Sequence, residues 1–272
     1  MNTQNDSHEN RVRPAAVAGQ FYPEAPDELL AEVDRFITDA KVSLEAVPKA
    51  IIAPHAGYRY SGPIAGSAYA CLARGRNSIK RVVLLGPSHF VGFAGLAASS
   101  AGAFASPLGI VRVDEEALEQ VRSLPQVTTL DAAHRKEHSL EVQLPFLQTT
   151  LADFKLVPLV VGDATAEEVG EVLEKLWGGK DTCVVVSSDL SHYQSYQSAR
   201  QIDLETARAI EALAWEGLAG EQACGCRPIR GFLRVAKSRG LHCRAVDLRN
   251  SGDTSDRRDR VVGYGAFVFT EN

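Results

Sequence analysis

Three histidines close three apolar runs. "AIIAPHAGY" delivers His55, "VVLLGPSHF" delivers His89 and "CVVVSSDLSHY" delivers His192. The chain has only 7 histidines, so the pattern does not follow from abundance. A lone histidine after a strand is commonly a hydrogen-bonded loop residue. Three at equivalent positions point to one shared site. Neutral imidazole is the commonest protein metal ligand and suits iron, zinc, copper and nickel. Two imidazoles and one anion would leave open positions on a metal. The anion could come from Asp189, Glu137, Asp253 or the thiolate of Cys224. With a carboxylate the set becomes the facial triad of non-haem Fe(II) oxygenases; a thiolate favours softer or redox-active metals.

Other groups compete for attention. "RKEHSLE" supplies Glu137 and His138, with His134 four residues before His138. That spacing predicts one helical face. The segment reads either as a polar helix start beside a cleft or as support for the ligands. "SSDLSHY" holds a serine, an aspartate and a histidine, but the G-x-S-x-G elbow of a serine hydrolase is absent. Asp189 reads better as the group that orients His192 or adds charge to the site. There is no P-loop and no G-x-G-x-x-G after a strand, which disfavours nucleotide binding. His8 and His242 receive no role.

These side chains need a scaffold that gathers strand ends. Apolar runs at 50–53, 82–85, 109–113, 156–161, 183–187, 243–247 and 261–269 read as strands, several of them buried on both faces. Amphipathic stretches separate them. "PDELLAEVDRFITDA" has Pro26 at a suitable first helical position. "DATAEEVGEVLEKLW" opens with Thr165 and Glu168 spaced as a capping box. "SARQIDLETARAIEALAW" is the longest helical stretch. Pro145 either kinks a helix or marks its start. Alternating strands and helices predict an α/β sandwich in one domain over 12–272, with a mainly parallel central sheet flanked by helices and an antiparallel last strand. In such sheets ligands bind beyond the carboxyl ends of the strands, where His55, His89 and His192 fall.

The bulk numbers agree with a globular domain. The chain has 272 residues, 45% hydrophobic and 23% charged, with a formal net charge of -5. No long basic block marks a nucleic-acid surface. No apolar run approaches the ~20 residues that cross a bilayer. The polar start, residues 1–11, reads as a flexible tail without a signal-peptide core. A cytoplasmic location is expected. The 5 cysteines fit it as free thiols. Cys71 and Cys183 sit in apolar runs, whereas Cys224 and Cys226 lie in "GEQACGCRPIRG", where a thiol can face a cleft.

Taken together the motifs resemble the Memo family, the mediator of cell motility group whose bacterial and archaeal members are called AmmeMemoRadiSam system protein B. "VRPAAVAGQFYP", "APHAGYRYSGPIA", "LLGPSHF", "EHSLEVQLPFL", "SSDLSHY", "ACGCRPI" and "VVGYGAFVF" carry the resemblance, in order, over almost the whole chain. It implies a fold similar to class III extradiol dioxygenases. It also implies a metal pocket of His55, His89 and Cys224, with His192 at the position of the dioxygenases' acid-base histidine. The dioxygenases have a carboxylate where Cys224 stands, and Cys226 lies close enough in sequence to compete for the sulfur role.

The expected function is metal-dependent redox or dioxygenase-like chemistry on a small substrate, with iron or copper bound and zinc possible. His192 and Asp189 would be the catalytic pair. A rival expectation is a non-catalytic module that binds a peptide or protein in the same crevice; a zinc hydrolase is a weaker third. The family's genomic association suggests AMMECR-type and radical SAM proteins as partners. Neither nucleic acid nor membrane is expected.

Overall fold

The computed structural model describes residues 11–42, 44–255 and 257–271. The elements begin with β1 (Val12–Arg13), α1 (Pro26–Thr38), β2 (Ala50–Ala53), α2 (Tyr58–Leu72), β3 (Arg81–Pro87), β4 (Leu96–Ala98) and β5 (Ala103–Ser106). Then come β6 (Gly109–Arg112), α3 (Glu115–Arg122), β7 (Val127–Thr129), α4 (Asp131–Arg135), α5 (Leu144–Thr150), β8 (Lys155–Val161) and α6 (Ala166–Leu176). The chain ends with β9 (Thr182–Ser187), β10 (His192–Gln194), α7 (Tyr196–Glu211), α8 (Cys226–Ser238), β11 (His242–Asn250), α9 (Ser251–Thr254) and β12 (Val261–Thr270). Except for Arg11, whose carbonyl accepts from Gly102 N at 2.9 Å, the expected tail lies outside the described residues.

Local chemistry explains several boundaries. Pro26 opens α1, where a missing N–H costs nothing. Thr165 and Glu168 form the reciprocal capping box that starts α6. Pro145 stands in the first turn of α5, so it marks a start and not a kink.

Among the described residues the main sheet runs β10-β12-β2-β9-β3-β8-β4-β7, with β11 also on β12. Its centre, β2, β9, β3 and β8, is parallel. These strands are apolar and buried almost throughout, because both faces are covered. The helix α2 packs against β2 and β12, and α8 against β3 and β9.

The sheet is mixed rather than mainly parallel. β12 is antiparallel to β2, β10 and β11, and β4 is antiparallel to β8. The parallel centre needs crossovers, which the helices supply; β11 and β12 are joined by a short segment, and a short return forces antiparallel pairing. The run at 109–113 does form a strand, but β6 joins β1 and β5 in a separate small sheet. The short strands β4, β5, β7 and β10 have no periodic signal long enough to read from sequence.

Candidate metal centre

Parallel neighbours share an edge. In the order β2-β9-β3, all three carboxyl ends open on the same side. His55 follows β2 by two residues, Asp189 follows β9 by two, and His89 follows β3 by two. A cleft of about 810 Å³ lies there, and His55, His89, His138, Asp189, His192 and Cys224 all face it.

Three imidazoles come together in it. The ligand atoms of His55, His89 and His138 all lie within 4.8 Å of one another. Their ring centroids are 5.1 Å apart for His55 and His89, 5.5 Å for His55 and His138, and 4.5 Å for His89 and His138. His138 is the residue that sequence reasoning left without a ligand role. The spacing from His134 misled, because α4 ends at Arg135 and the two rings diverge. His134 is buried elsewhere, with Nε2 3.0 Å from Ala97 O. The available clue was "EHS", a histidine beside an acid in a segment already suspected of bordering a cleft.

Hydrogen bonds fix which nitrogen each ring offers. Tyr69 donates to Gln143 Oε1 (2.9 Å), so Gln143 Nε2 is the donor to Pro54 O (3.0 Å) and to Ser187 Oγ (2.8 Å). Ser187 spends its own proton on Ser139 O at 2.6 Å. His55 Nδ1, 2.9 Å from Ser187 Oγ, must therefore donate, and Nε2 keeps its lone pair for the cleft. Burial, followed by the neighbouring His89, lowers the His55 pKa to about 3. Its ring is neutral at pH 7, the state a metal requires.

Glu137 does the same for His89. It accepts from His89 Nδ1 at 2.8 Å, from His89 N at 2.7 Å and from Ser139 N at 2.9 Å. Burial would raise this carboxyl, but these bonds outweigh it and hold the pKa near 2. A carboxylate behind a metal-facing imidazole fixes its tautomer and raises its basicity. His138 Nδ1 is buried and has no hydrogen-bond partner among the described residues; it lies 3.5 Å from Glu137 Oε1. Burial, then the other two rings, lower the His138 pKa to about 4.

Cys224 stands beside this set. Its Sγ is 3.2 Å from His55 Nε2, and burial followed by the charge of Asp189 pushes its thiol well above the ordinary range. It arrives there because Gly225 presses on the end of β9. A Cβ on Gly225 would meet Ser188 Cβ and Oγ at 2.7 Å, and Gly225 N donates to Ser188 Oγ at 2.9 Å. Cys226 begins α8 and does not line the cleft.

The two acid-base candidates do not form a pair. Asp189 Oδ1 accepts from His55 N at 2.7 Å and Ala56 N at 3.3 Å, so it ties down the turn that carries His55. Burial raises its pKa against those bonds. His192 Nδ1 meets Leu190 O at 2.8 Å, which as a carbonyl can only accept, so Nε2 is the nitrogen left for other contacts. The aspartate is two residues nearer the strand end than Ser191 and belongs to the neighbouring turn. Of the other anions considered, Asp253 takes the Tyr196 hydroxyl at 2.5 Å and caps the start of α9 by accepting from Asn250 N, and it does not line the cleft. Glu141 is buried under Arg13, Tyr22 and the backbone of Ala16 and Val17, a structural hub.

Among the described residues no helix is long and apolar enough to cross a membrane. A family profile described as Memo-like protein matches residues 13–268. A protein named MEMO1 family protein from Archaeoglobus fulgidus is 36% identical over 271 residues, covering 95% of this chain and 99% of that one. Its namesake in Aquifex aeolicus is 36% identical with the same coverage, and one from Saccharolobus solfataricus is 36% identical over 94% of this chain and 99% of its own. A crystal structure of an uncharacterized protein of Escherichia coli K12 aligns with 82% of this chain and 100% of its own, at 14% identity and a TM-score of 0.49. With a family profile and near-full-length relatives in agreement with the motifs around His55, His89, His192 and Cys224, the chain belongs to the Memo family.

Proposed function

We propose that the cleft is the metal centre of a redox protein that acts on a small molecule. The observation that carries this reading is the set of three imidazole donor atoms within 4.8 Å of one another, two of them oriented by hydrogen bonds on their far nitrogens. His55, His89 and His138 would hold the ion. Cys224 would add a sulfur donor from the His55 side, giving up its proton as the ion binds. Imidazole and thiolate together suit iron or copper, and such an ion supplies one-electron and dioxygen chemistry.

The remaining side chains divide the other tasks. Asp189 keeps His55 in place. His192, with Nδ1 engaged by Leu190, exchanges a proton with the bound molecule at Nε2. The cleft is large enough for a small substrate beside the ion.

Anaerobic purification followed by elemental analysis and spectroscopy tests the reading. One equivalent of iron or copper is expected, reduced in His55→Ala and His89→Ala. Dioxygen uptake with a panel of small aromatic and thiol substrates then tests turnover. A protein that binds neither metal would overturn the proposal. Zinc alone would replace redox chemistry with hydrolysis, and metal without turnover would favour a binding module.

A further inference from the structure

Asp203 is a buried carboxylate that the site as described leaves unused. It sits on α7, 2% exposed, and its Oδ1 accepts the backbone N–H of Ser191 at 3.0 Å. Ser191 immediately precedes His192. Two further bonds clamp the same segment to β12: Leu190 N donates to Gly263 O and Gly263 N donates to Ser191 O, each at 2.8 Å. Gly263 has no side chain for a reason that involves Asp203. A Cβ there would come within 2.0 Å of Asp203 Oδ2 and 2.4 Å of its Cγ.

The segment needs such anchoring. Past His192 the pairing of β10 with β12 slips by a bulge, and Tyr193 takes a φ of 60°. The left-handed region is unfavourable for a bulky residue and persists only where the surroundings over-determine it. With that geometry His192 lines the cleft, while Tyr193 is 62% exposed at its rim. Released from its anchor, the strained segment could relax, and the His192 Nδ1 bond to Leu190 O two residues back would go with it.

We infer that Asp203 is the positioning residue of His192, acting through the Ser191 N–H to hold the ring with Nδ1 on Leu190 O and Nε2 toward the cleft. The sequence alone suggests Asp189 for that task; Asp189 is instead engaged by the backbone of His55 and Ala56. The inference rests on the reading of His192 as the proton-exchanging group. It predicts that the acceptor oxygen matters more than the charge, because the bond runs to a backbone amide.

The test uses the full chain labelled with ¹⁵N-histidine. The ring signals of His192 are assigned by their loss in His192→Gln. Wild type is expected to show one neutral tautomer, protonated on Nδ1. Asp203→Asn keeps an acceptor for Ser191 N–H and should keep that pattern. Asp203→Ala should lose it, giving averaged or broadened nitrogen shifts. Gly263→Ala, which displaces the carboxylate without removing it, should lose it too and serves if Asp203→Ala does not fold. A wild-type pattern in a folded Asp203→Ala or Gly263→Ala protein would overturn the inference. Metal content is measured on the same samples. Absence of metal from wild type defeats the proposed centre and leaves the tautomer comparison standing.

Discussion

The sulfur of Cys224 lies 3.2 Å from Nε2 of His55, the nitrogen that the hydrogen bond to Ser187 leaves unprotonated. Without an ion the thiol is the natural donor to that lone pair. An ion bound by His55 must replace this contact, so metal and alkylating reagents compete for one sulfur. Metal is expected to protect Cys224 from alkylation and to leave Cys226 reactive. Cys224→Ser should weaken metal binding, and Cys226→Ser should not. Peptide mapping with and without metal checks both; protection of Cys226 alone would move the ligand by two residues.

Glu137 is the group whose loss should be felt through His89. A glutamine has one acceptor oxygen and one amide donor where the carboxylate has two acceptors. Oε1 takes both His89 Nδ1–H and Ser139 N–H while Oε2 takes His89 N–H, so whichever way the glutamine turns, its amide faces a donor that it cannot receive. Glu137→Gln should therefore weaken metal binding by ~10–100-fold, the usual range for the partner of a ligating imidazole. Titration with a chromophoric competitor measures it, and wild-type affinity would mean that Glu137 only shapes the loop.

His138 and His192 share the cleft but should separate on mutation. His138→Ala removes one of the three clustered donors and should lower metal affinity at least ~10-fold, no less than the loss of an outer partner. His192→Ala should retain most metal and lower any turnover by roughly 100-fold or more, as loss of a general acid-base group does. Elemental analysis of the two variants decides the roles; a metal-free His192→Ala protein would make His192 a ligand.

Acid should destabilise the fold before ordinary carboxylates titrate. In the folded chain His55 has its pKa lowered to about 3, and His134 and His138 to about 4, in each case chiefly by burial. Unfolded, these rings titrate near pH 6.5. Between those limits the unfolded chain binds more protons, so stability is fully present above about pH 6.5 and ebbs as the pH falls through the window. Glu137, held near 2, adds a contribution present above its unfolded value and lost at lower pH. Urea midpoints at about pH 7.5, 6 and 5 should fall in that order. A flat series would show that the rings are protonated in the folded chain.

How much of this was legible beforehand differs from residue to residue. His55, His89 and His192 declared themselves because each ends a continuous apolar run, and a run buried on both faces is the signature of a central strand. The Thr165 and Glu168 cap was legible for a similar reason: it is local chemistry, complete within four residues. The sheet was legible only in part: the last strand was expected to be antiparallel and β12 is, but the reversal of β4 against β8 lies in a three-residue strand with no pattern to read.

The amino-acid sequence by itself determined the strands, the tight turns after them and the stock of imidazole, carboxylate and thiol groups they could offer. Only the tertiary structure decided who meets whom. His138 lies 83 residues from His55 in the chain and owes its place in the cleft to a segment between α4 and α5 with no regular period to read. Asp189 and Asp203 show the same limit. Nearness in sequence assigned Asp189 to His192, but a strand end points its neighbours in different directions. The folded chain gives Asp189 to the His55 turn and brings Asp203 from α7 to the Ser191 amide. Hydrogen bonds of this kind act over about 3 Å and carry no periodicity, so packing of distant elements alone selects them.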